Sequence, residues 1–172
     1  QRLYQTVLVM PEDELTVDIG DNCNCTLTCG KSTFSMFAMR GADFPNMPEL
    51  LTERGFTVPS GILRKMITKT IHSVADQDNR PMLCGTFFKI SPTEITAVSC
   101  DSFTLSICRE KCEIGSLGSS GETEFSFIIP GHALPELLKI MPEKDEDLVN
   151  IYLSRKHAIF RGENIIFFTR TI

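Results

Sequence analysis

The sequence lacks any long apolar run. Hydrophobic residues make up 42% of the 172 residues, yet no stretch approaches the roughly 20 residues that a membrane span needs. It also lacks an N-terminal signal peptide, and Leu3, Val7 and Met10 already follow helical spacing. We therefore expect a cytoplasmic globular protein whose chain begins inside a domain. The length allows one full domain and part of another.

The seven cysteines lack the CxxC pairs that are typical of zinc sites. Cys23, Cys25 and Cys29 are separated by even numbers of residues, so in a strand they would share one face. An odd number of cysteines without a secretory signal favours reduced, packed thiols. A zinc site is the alternative, although spacing within one strand suits tetrahedral ligation poorly.

Signals of catalysis are also missing. The glycine-rich stretch within Lys111–Glu122 is not followed by Gly-Lys-Ser/Thr, so it predicts a flexible surface loop rather than a phosphate cradle. No nucleophile motif surrounds a serine or cysteine, and the histidines are far apart in sequence, at His72, His132 and His157. Three aspartates could approach one another and hold a metal ion, or could simply form turns: Asp76, Asp78 and Asp101. We do not expect an enzyme.

The most informative feature is an internal repeat. A strand at 56–58, a helix at 61–75 with Ser60 as its N-cap, and three further strands form one unit. A second unit begins at 127–130 and contains a helix at 134–141. The predicted strands of the two units are 82–90, 94–101 and 103–109, then 148–153, 157–161 and 164–171.

The first residues repeat the second unit. Val9–Glu12 (VMPE) matches Ile140–Glu143 (IMPE), and a helix over 1–10 is followed by three short strands, as in the second unit. The predicted strands lie at 15–19, 23–29 and 33–39. The pattern predicts an α+β fold of duplicated strand–helix–three-strand units, with the helices on one face of a curved antiparallel sheet.

One helix carries positive charge in an acidic chain. The net charge is −5, yet Arg64, Lys65 and Lys69 are the only charged residues of the helix over 61–75. A cationic helix face on an acidic protein can attract a polyanion locally. The alternative is an ordinary solvated helix face. The second helix is less clearly basic, because Lys139 is accompanied by Glu136.

Together these residues resemble the bacterial DNA polymerase III β subunit, the sliding clamp, over essentially the whole chain. Gly41–Asn46 resembles the junction between the first two domains of that family. Ala75–Arg80, followed by Leu83 and Gly85, is similar to the loop after the first helix of the second domain. Val98–Leu105 stands where the family carries T-D-G-H/Y-R-L. Asn164–Ile172 matches the last strand of the second domain.

The resemblance implies a fragment of a longer subunit. Residues 1–40 would be the C-terminal half of clamp domain I, 41–55 a linker and 56–172 clamp domain II, with the third domain absent. Two full-length subunits would form a homodimeric ring around duplex DNA and confer processivity on the replicative polymerase. The implied partners are the DNA polymerase III α subunit, the clamp loader and other proteins with clamp-binding motifs. Neither a cofactor nor a metal is implied, and the location would be the cytoplasm, at the nucleoid.

The resemblance also implies two binding surfaces. Sequence-independent contacts to DNA phosphates would come from the helices and the following loop, at Arg64, Lys65, Lys69, Gln77, Arg80 and Lys139. A hydrophobic cleft for partner peptides would have one wall in this chain, made of Leu83, Cys100, Ser102, Phe103, Thr104 and Leu105.

The chain departs from the family motif in this cleft. Ser102, Phe103 and Thr104 replace Gly, His or Tyr, and Arg, which removes a charge-assisted donor. We expect peptide binding to persist with altered affinity or motif preference. The alternative is a divergent clamp-like interaction scaffold that does not load on DNA.

Overall fold

A computed structural model describes residues 2–11, 14–44, 54–117, 123–162 and 164–172. The chain forms two compact units, Gln1–Pro48 and Glu49–Ile172. The predicted linker covers 41–55. Its first residues, Gly41–Asp43, form one turn of 3-10 helix, and 45–53 lie outside the described residues.

The described residues of the first unit contain one α-helix and a three-stranded antiparallel sheet. The elements are α1 (Arg2–Leu8), β1 (Leu15–Ile19), β2 (Asn24–Cys29) and β3 (Ser32–Phe37), in the sheet order β1-β2-β3. Alternate side chains of β2 are buried, namely Cys25, Leu27 and Cys29. Cys23 lies before the strand with a φ of 60°, so only two of the three cysteines share this face.

The second unit contains both predicted repeats, with strand and helix ends within a few residues of those expected. The first repeat consists of β4 (Gly55–Pro59), α2 (Ser60–Thr70), β5 (Gly85–Ser91), β6 (Glu94–Cys100) and β7 (Leu105–Lys111). A short strand, β8 (Gly115–Leu117), follows. The second repeat consists of β9 (Phe125–Pro130), α3 (Ala133–Ile140), β10 (Leu148–Leu153), β11 (His157–Arg161) and β12 (Ile166–Arg170).

Each repeat places its first strand in the sheet of the other repeat. The sheet orders are β7-β6-β5-β9 and β12-β11-β10-β4-β8, and every pairing is antiparallel. The N–H of Ile172, which follows the edge strand β12, donates to the carbonyl of Ile128 on the edge strand β9 at 3.2 Å. This hydrogen bond joins the two sheets at their edges. The predicted duplicated α+β fold is confirmed, with its strands divided between two adjoining sheets.

Both helices pack into one core. From α2, Leu63, Met66 and Ile67 are buried, and from α3, Leu134 and Leu137 are buried in the same cluster. The strands contribute inward side chains at alternate positions: Phe56, Val58, Phe88, Ile90, Ile129 and Ile151. Each such side chain contributes about 1.5–3 kcal/mol of transfer free energy. The helix predicted over 61–75 is shorter in the structure: α2 ends at Thr70, and a 3-10 turn follows over Ile71–Ser73.

Ser60 does not cap α2 as predicted. It is the first helical residue and is fully buried, and its hydroxyl donates to the carbonyls of Pro142 (3.2 Å) and Lys144 (2.8 Å). The N–H groups of Ser60 and Gly61 donate to the carbonyls of Asp147 and Asp145. The loop after α3 therefore satisfies the free donors at the start of α2, a task that falls elsewhere to a side-chain cap.

The glycine-rich segment is not loop throughout. The prediction over Lys111–Glu122 is wrong at β7 and at β8, which pairs with β4 from Gly55↔Leu117 to Thr57↔Gly115. Residues 118–122 lie outside the described residues. All seven cysteine thiols are free, and Cys25, Cys29 and Cys108 are buried. Within the described ranges, no helix is long and apolar enough to cross a membrane.

Candidate nucleic-acid interface and peptide cleft

The solvent side of α2 presents two lysines. Lys65 and Lys69 are both exposed, and they lie on the opposite side of the helix from the buried Leu63 and Ile67. Lys65 is not a free cation, because its Nζ lies 2.7 Å from Oε1 of Glu110 on β7. The charge-assisted bond with Glu110 raises the pKa of Lys65. The helix itself has no acid, but the neighbouring strand supplies one.

Arg64 does not share this face. It is half-buried on the flank of α2, where its guanidinium donates to the carbonyl of Pro142. The prediction that Arg64 stands with Lys65 and Lys69 on one exposed face is therefore wrong. Neighbouring residues of a helix are about 100° apart around its axis, so Arg64 falls on the side of the loop after α3.

The basic residue of α3 has a partner on its own helix. Lys139 donates to Oε1 of Glu136 at 2.8 Å, and both side chains are exposed. An exposed pair three residues apart contributes only a few tenths of a kcal/mol to helix stability. The surface of α3 thus carries little net positive charge at this point.

The loop after α2 contains a second ion pair. Nε and Nη2 of Arg80 donate to the two carboxylate oxygens of Asp78, each at 3.0 Å, and the backbone N–H of Arg80 donates to the same carboxylate at 2.8 Å. These bonds lower the pKa of Asp78 to about 2. Gln77, the neighbouring predicted DNA contact, is exposed.

The turn between β6 and β7 is closed by Asp101. Its Oδ1 accepts the N–H groups of Phe103 (2.9 Å) and Thr104 (2.6 Å), and these two bonds lower the pKa of Asp101. Ser102 has a φ of 78°, a left-handed conformation that favours glycine. The family's glycine at this position therefore fits the backbone better than the serine found here.

The serine provides a contact that glycine could not. Nη2 of Arg80 donates to Oγ of Ser102, so the loop after α2 is tied to the turn between β6 and β7. Arg80, predicted as a DNA contact, and Ser102, predicted as a cleft residue, are thereby brought together. The backbone N–H of Ser102 also lies 3.4 Å from the sulfur of Cys100.

The other predicted cleft residues lie around this turn. Leu83 belongs to a 3-10 turn over Pro81–Cys84 and is half-buried, as is Cys100 at the end of β6. Leu105 opposes Cys100 across the β6–β7 pair and is 62% exposed, and the side chain of Phe103 is 95% exposed. Thr104 is also exposed. The turn therefore presents an apolar ring and a leucine directly to solvent.

Two of the three aspartates predicted either to bind a metal or to form turns, Asp78 and Asp101, have local partners. Asp78 holds Arg80, and Asp101 holds its own turn, as the turn interpretation expects. In the part of the chain that the structure describes, no three His, Cys, Asp or Glu side chains form a group that could hold a metal ion. The histidines lie in separate elements, and His72 bonds to Ser106 at 3.0 Å.

Sequence reasoning missed Glu110 as a member of the α2 surface. In β7 the inward positions alternate, so Ser106, Cys108 and Glu110 all face the helix side. A period of two, extended to the end of the strand, would have placed this carboxylate beside α2. Side-chain packing decides that Glu110 pairs with Lys65 and not with Lys69.

The sequence of this duplicated domain is similar to those of known proteins. Residues 57–172 match the sequence profile of the DNA polymerase III beta subunit, central domain. The beta sliding clamp of Halalkalibacterium halodurans is 30% identical over 169 residues, which cover 98% of this chain and 43% of that relative. The chain belongs to the DNA polymerase III beta subunit family.

Solved structures have the same fold. The DNA polymerase III beta chain of Streptococcus pneumoniae superposes with a TM-score of 0.76 at 26% identity, covering 99% of this chain and 44% of that one. The Helicobacter pylori beta clamp bound to a DNA ligase peptide superposes with a TM-score of 0.80 at 20% identity, covering 99% and 46%. The chain thus spans less than half the length of these relatives.

The Asp78–Arg80 pair leads to a pH-dependent prediction. In the Arg80→Ala variant, the pKa of Asp78 should rise from about 2 towards its ordinary 3.8, because its two charge-assisted bonds are lost. In the wild type, the ion pair stabilises the fold at pH values above the pKa that Asp78 has in the unfolded chain. This stabilisation is lost as the pH falls from about 4 towards 2. Titration of the Asp78 carboxyl by NMR measures the shift.

The matched control is Arg109→Ala, which removes an exposed arginine from the outward face of β7. It should leave the Asp78 titration unchanged. An Asp78 pKa that stays near 2 without the Arg80 guanidinium would contradict the assignment.

Proposed function

We propose that the chain is part of a DNA sliding clamp, which encircles duplex DNA and gives the replicative polymerase its processivity. Membership of the DNA polymerase III beta subunit family carries this proposal. The complete subunit would form a homodimeric ring and would need a third domain beyond these 172 residues. The chain would act by tethering and not by catalysis, without a cofactor, in the cytoplasm at the nucleoid.

The proposed domain division is 1–40 for the second half of domain I, 41–55 for a linker and 56–172 for domain II. The exposure of α1 supports it. Leu3 occupies the place in α1 that Leu134 occupies in α3, yet Leu3 is 50% exposed and Leu134 is fully buried. In the second unit, the buried face of α3 belongs to a core cluster that includes residues of the first repeat. Residues 1–40 would need a preceding repeat to bury α1 in the same way.

The proposed DNA surface is centred on α2. Lys65 and Lys69 can reach phosphates without reading sequence, and the acidic balance of the remaining chain opposes non-specific contact elsewhere. Arg64, Gln77, Arg80 and Lys139 remain part of the proposal as secondary contacts. Arg80 and Lys139 are already paired with carboxylates, so they contribute less positive potential, and Arg64 donates to the carbonyl of Pro142.

The proposed peptide cleft has one wall in this chain, formed by Leu83, Cys100 and the turn Ser102–Leu105. The exposure of Phe103 and Leu105 supports it, because large apolar side chains at a turn are available for a partner to cover. The partners would be the DNA polymerase III α subunit, the clamp loader and other proteins with a clamp-binding motif. The peptide bound to the Helicobacter pylori clamp is a precedent for this kind of partner.

The alternative function is a clamp-like interaction scaffold that does not load on DNA. The ion pairs of Lys65, Arg80 and Lys139 favour it, since each reduces the positive charge of the proposed DNA surface. Salt dependence separates the two functions, because only phosphate contacts release counterions from DNA.

The DNA surface is tested by replacing both α2 lysines. The Lys65→Ala, Lys69→Ala double variant should bind duplex DNA more weakly, with a salt dependence reduced by about 0.9 per lost phosphate contact. Fluorescence anisotropy with a labelled duplex of random sequence, repeated over a salt series, measures both quantities.

The control is Lys89→Ala, at an exposed lysine on the outward face of β5, between the buried Phe88 and Ile90. It changes the net charge in the same direction but lies on the opposite face of the sheet from the helices. Equal affinity of the wild type and the double variant for duplex DNA would contradict the proposed DNA surface and favour the interaction scaffold.

The peptide cleft is tested in the complete subunit, where both walls would be present. Leu83→Ala and Phe103→Ala should each weaken binding of a peptide with the polymerase's clamp-binding motif by about fivefold or more, since truncating a buried apolar contact costs at least ~1 kcal/mol. Isothermal titration calorimetry measures the affinities.

Leu148→Ala provides the comparison, because Leu148 is similarly exposed (57%) but lies on β10 in the other sheet. It should leave peptide affinity unchanged. Wild-type affinity in both cleft variants would show that the pocket lies elsewhere.

A further inference from the structure

We propose that Glu110 holds Lys65 in place of a DNA phosphate and thereby weakens the affinity of the α2 face for DNA. The inference rests on the proposed DNA-binding function and concerns the regulation of that same surface. In this arrangement, Glu110 is a built-in competitor that duplex DNA must displace before Lys65 can reach the phosphate backbone.

The geometry places the two groups in direct contact. Glu110 is the last inward-facing residue of β7, the outermost strand of its sheet, and its Oε1 lies 2.7 Å from Nζ of Lys65. A carboxylate and a phosphate oxygen present the same kind of acceptor to a lysine ammonium group. Lys65 cannot give its full charge to both at once.

The electrostatics extend to the second lysine. The bond with Lys65 lowers the pKa of Glu110 most strongly, and the charge of Lys69 lowers it further, so the carboxylate is ionised at neutral pH and acts on both lysines. Two lysines and one glutamate leave a local charge of 2 − 1 = +1. Without the glutamate carboxylate, the same surface would carry +2.

The pair is open enough for DNA to displace it. The side chains of Lys65 and Glu110 are 48% and 22% exposed, so the ammonium group can exchange one partner for another without unfolding. An ion pair in such a position contributes little to folding stability. Its main effect would therefore fall on whatever anion competes for Lys65.

The experiment compares Glu110→Gln with the wild-type chain in duplex binding across a salt series. The variant should bind a labelled random-sequence duplex about two- to fivefold more tightly at low salt, the range that an exposed ion pair is worth. The salt dependence should change little, because Lys65 reaches a phosphate in both complexes and only the cost of displacing Glu110 differs. Glu113→Gln, at an exposed acid three residues further along, is the control for net charge.

A second variant separates this inference from the proposed function. Glu110→Gln should give a much smaller gain in a Lys65→Ala background, because only the weaker effect of the carboxylate on Lys69 remains to be removed. If Glu110→Gln binds like the wild type while loss of Lys65 and Lys69 weakens binding, Glu110 is no competitor and the DNA surface stands. If Glu110→Gln and Glu113→Gln tighten binding equally, the effect is one of net charge, and the inference is again overturned. If the lysine variants have no effect, the proposed function itself fails.

Discussion

The exchange of first strands between the two repeats is the constraint on which the rest of the second unit depends. Because β4 pairs with β10 and β9 pairs with β5, neither repeat has a complete sheet alone. The exchange is tight: a Cβ added to Gly85 at the start of β5 would lie 2.5 Å from the carbonyl oxygen of Ile129 on β9. Both helices are thereby held over one core, and each proposed surface has a fixed position relative to it.

The two proposed surfaces, α2 and the turn between β6 and β7, expose side chains of different kinds. The helix exposes Lys65 and Lys69 beside the edge strand β7, whereas the turn before that strand and its first residue expose Phe103 and Leu105. Arg80 links the two regions through Ser102. The family's arginine is missing at Thr104, and Arg80 places a guanidinium on the same turn from another part of the chain. A loop predicted to contact DNA is therefore tied to the turn proposed as a wall of the peptide cleft.

Periodicity in the sequence was enough to predict the duplicated fold, since the apolar stripes of 62–71 and 134–141 and the alternating strands after them have clear periods. It could not place Arg64, because an arginine at the flank of a helix is buried or exposed according to what packs beside it, here the carbonyl of Pro142. It missed β8, whose three residues are a strand only by pairing with β4. The candidate site residues were predicted from family motifs. The ion-pair partners of Lys65, Arg80 and Lys139 could not be predicted in this way, because they depend on side-chain geometry.

Native-state hydrogen exchange across the two swapped pairings tests the central claim most directly, that both repeats fold as one cooperative body. Amides in the β4–β10 and β5–β9 ladders should exchange only through global unfolding, with a common free energy equal to that measured by urea denaturation. Two distinct free energies, one for each sheet, would contradict the account, because each repeat would then open independently of the other.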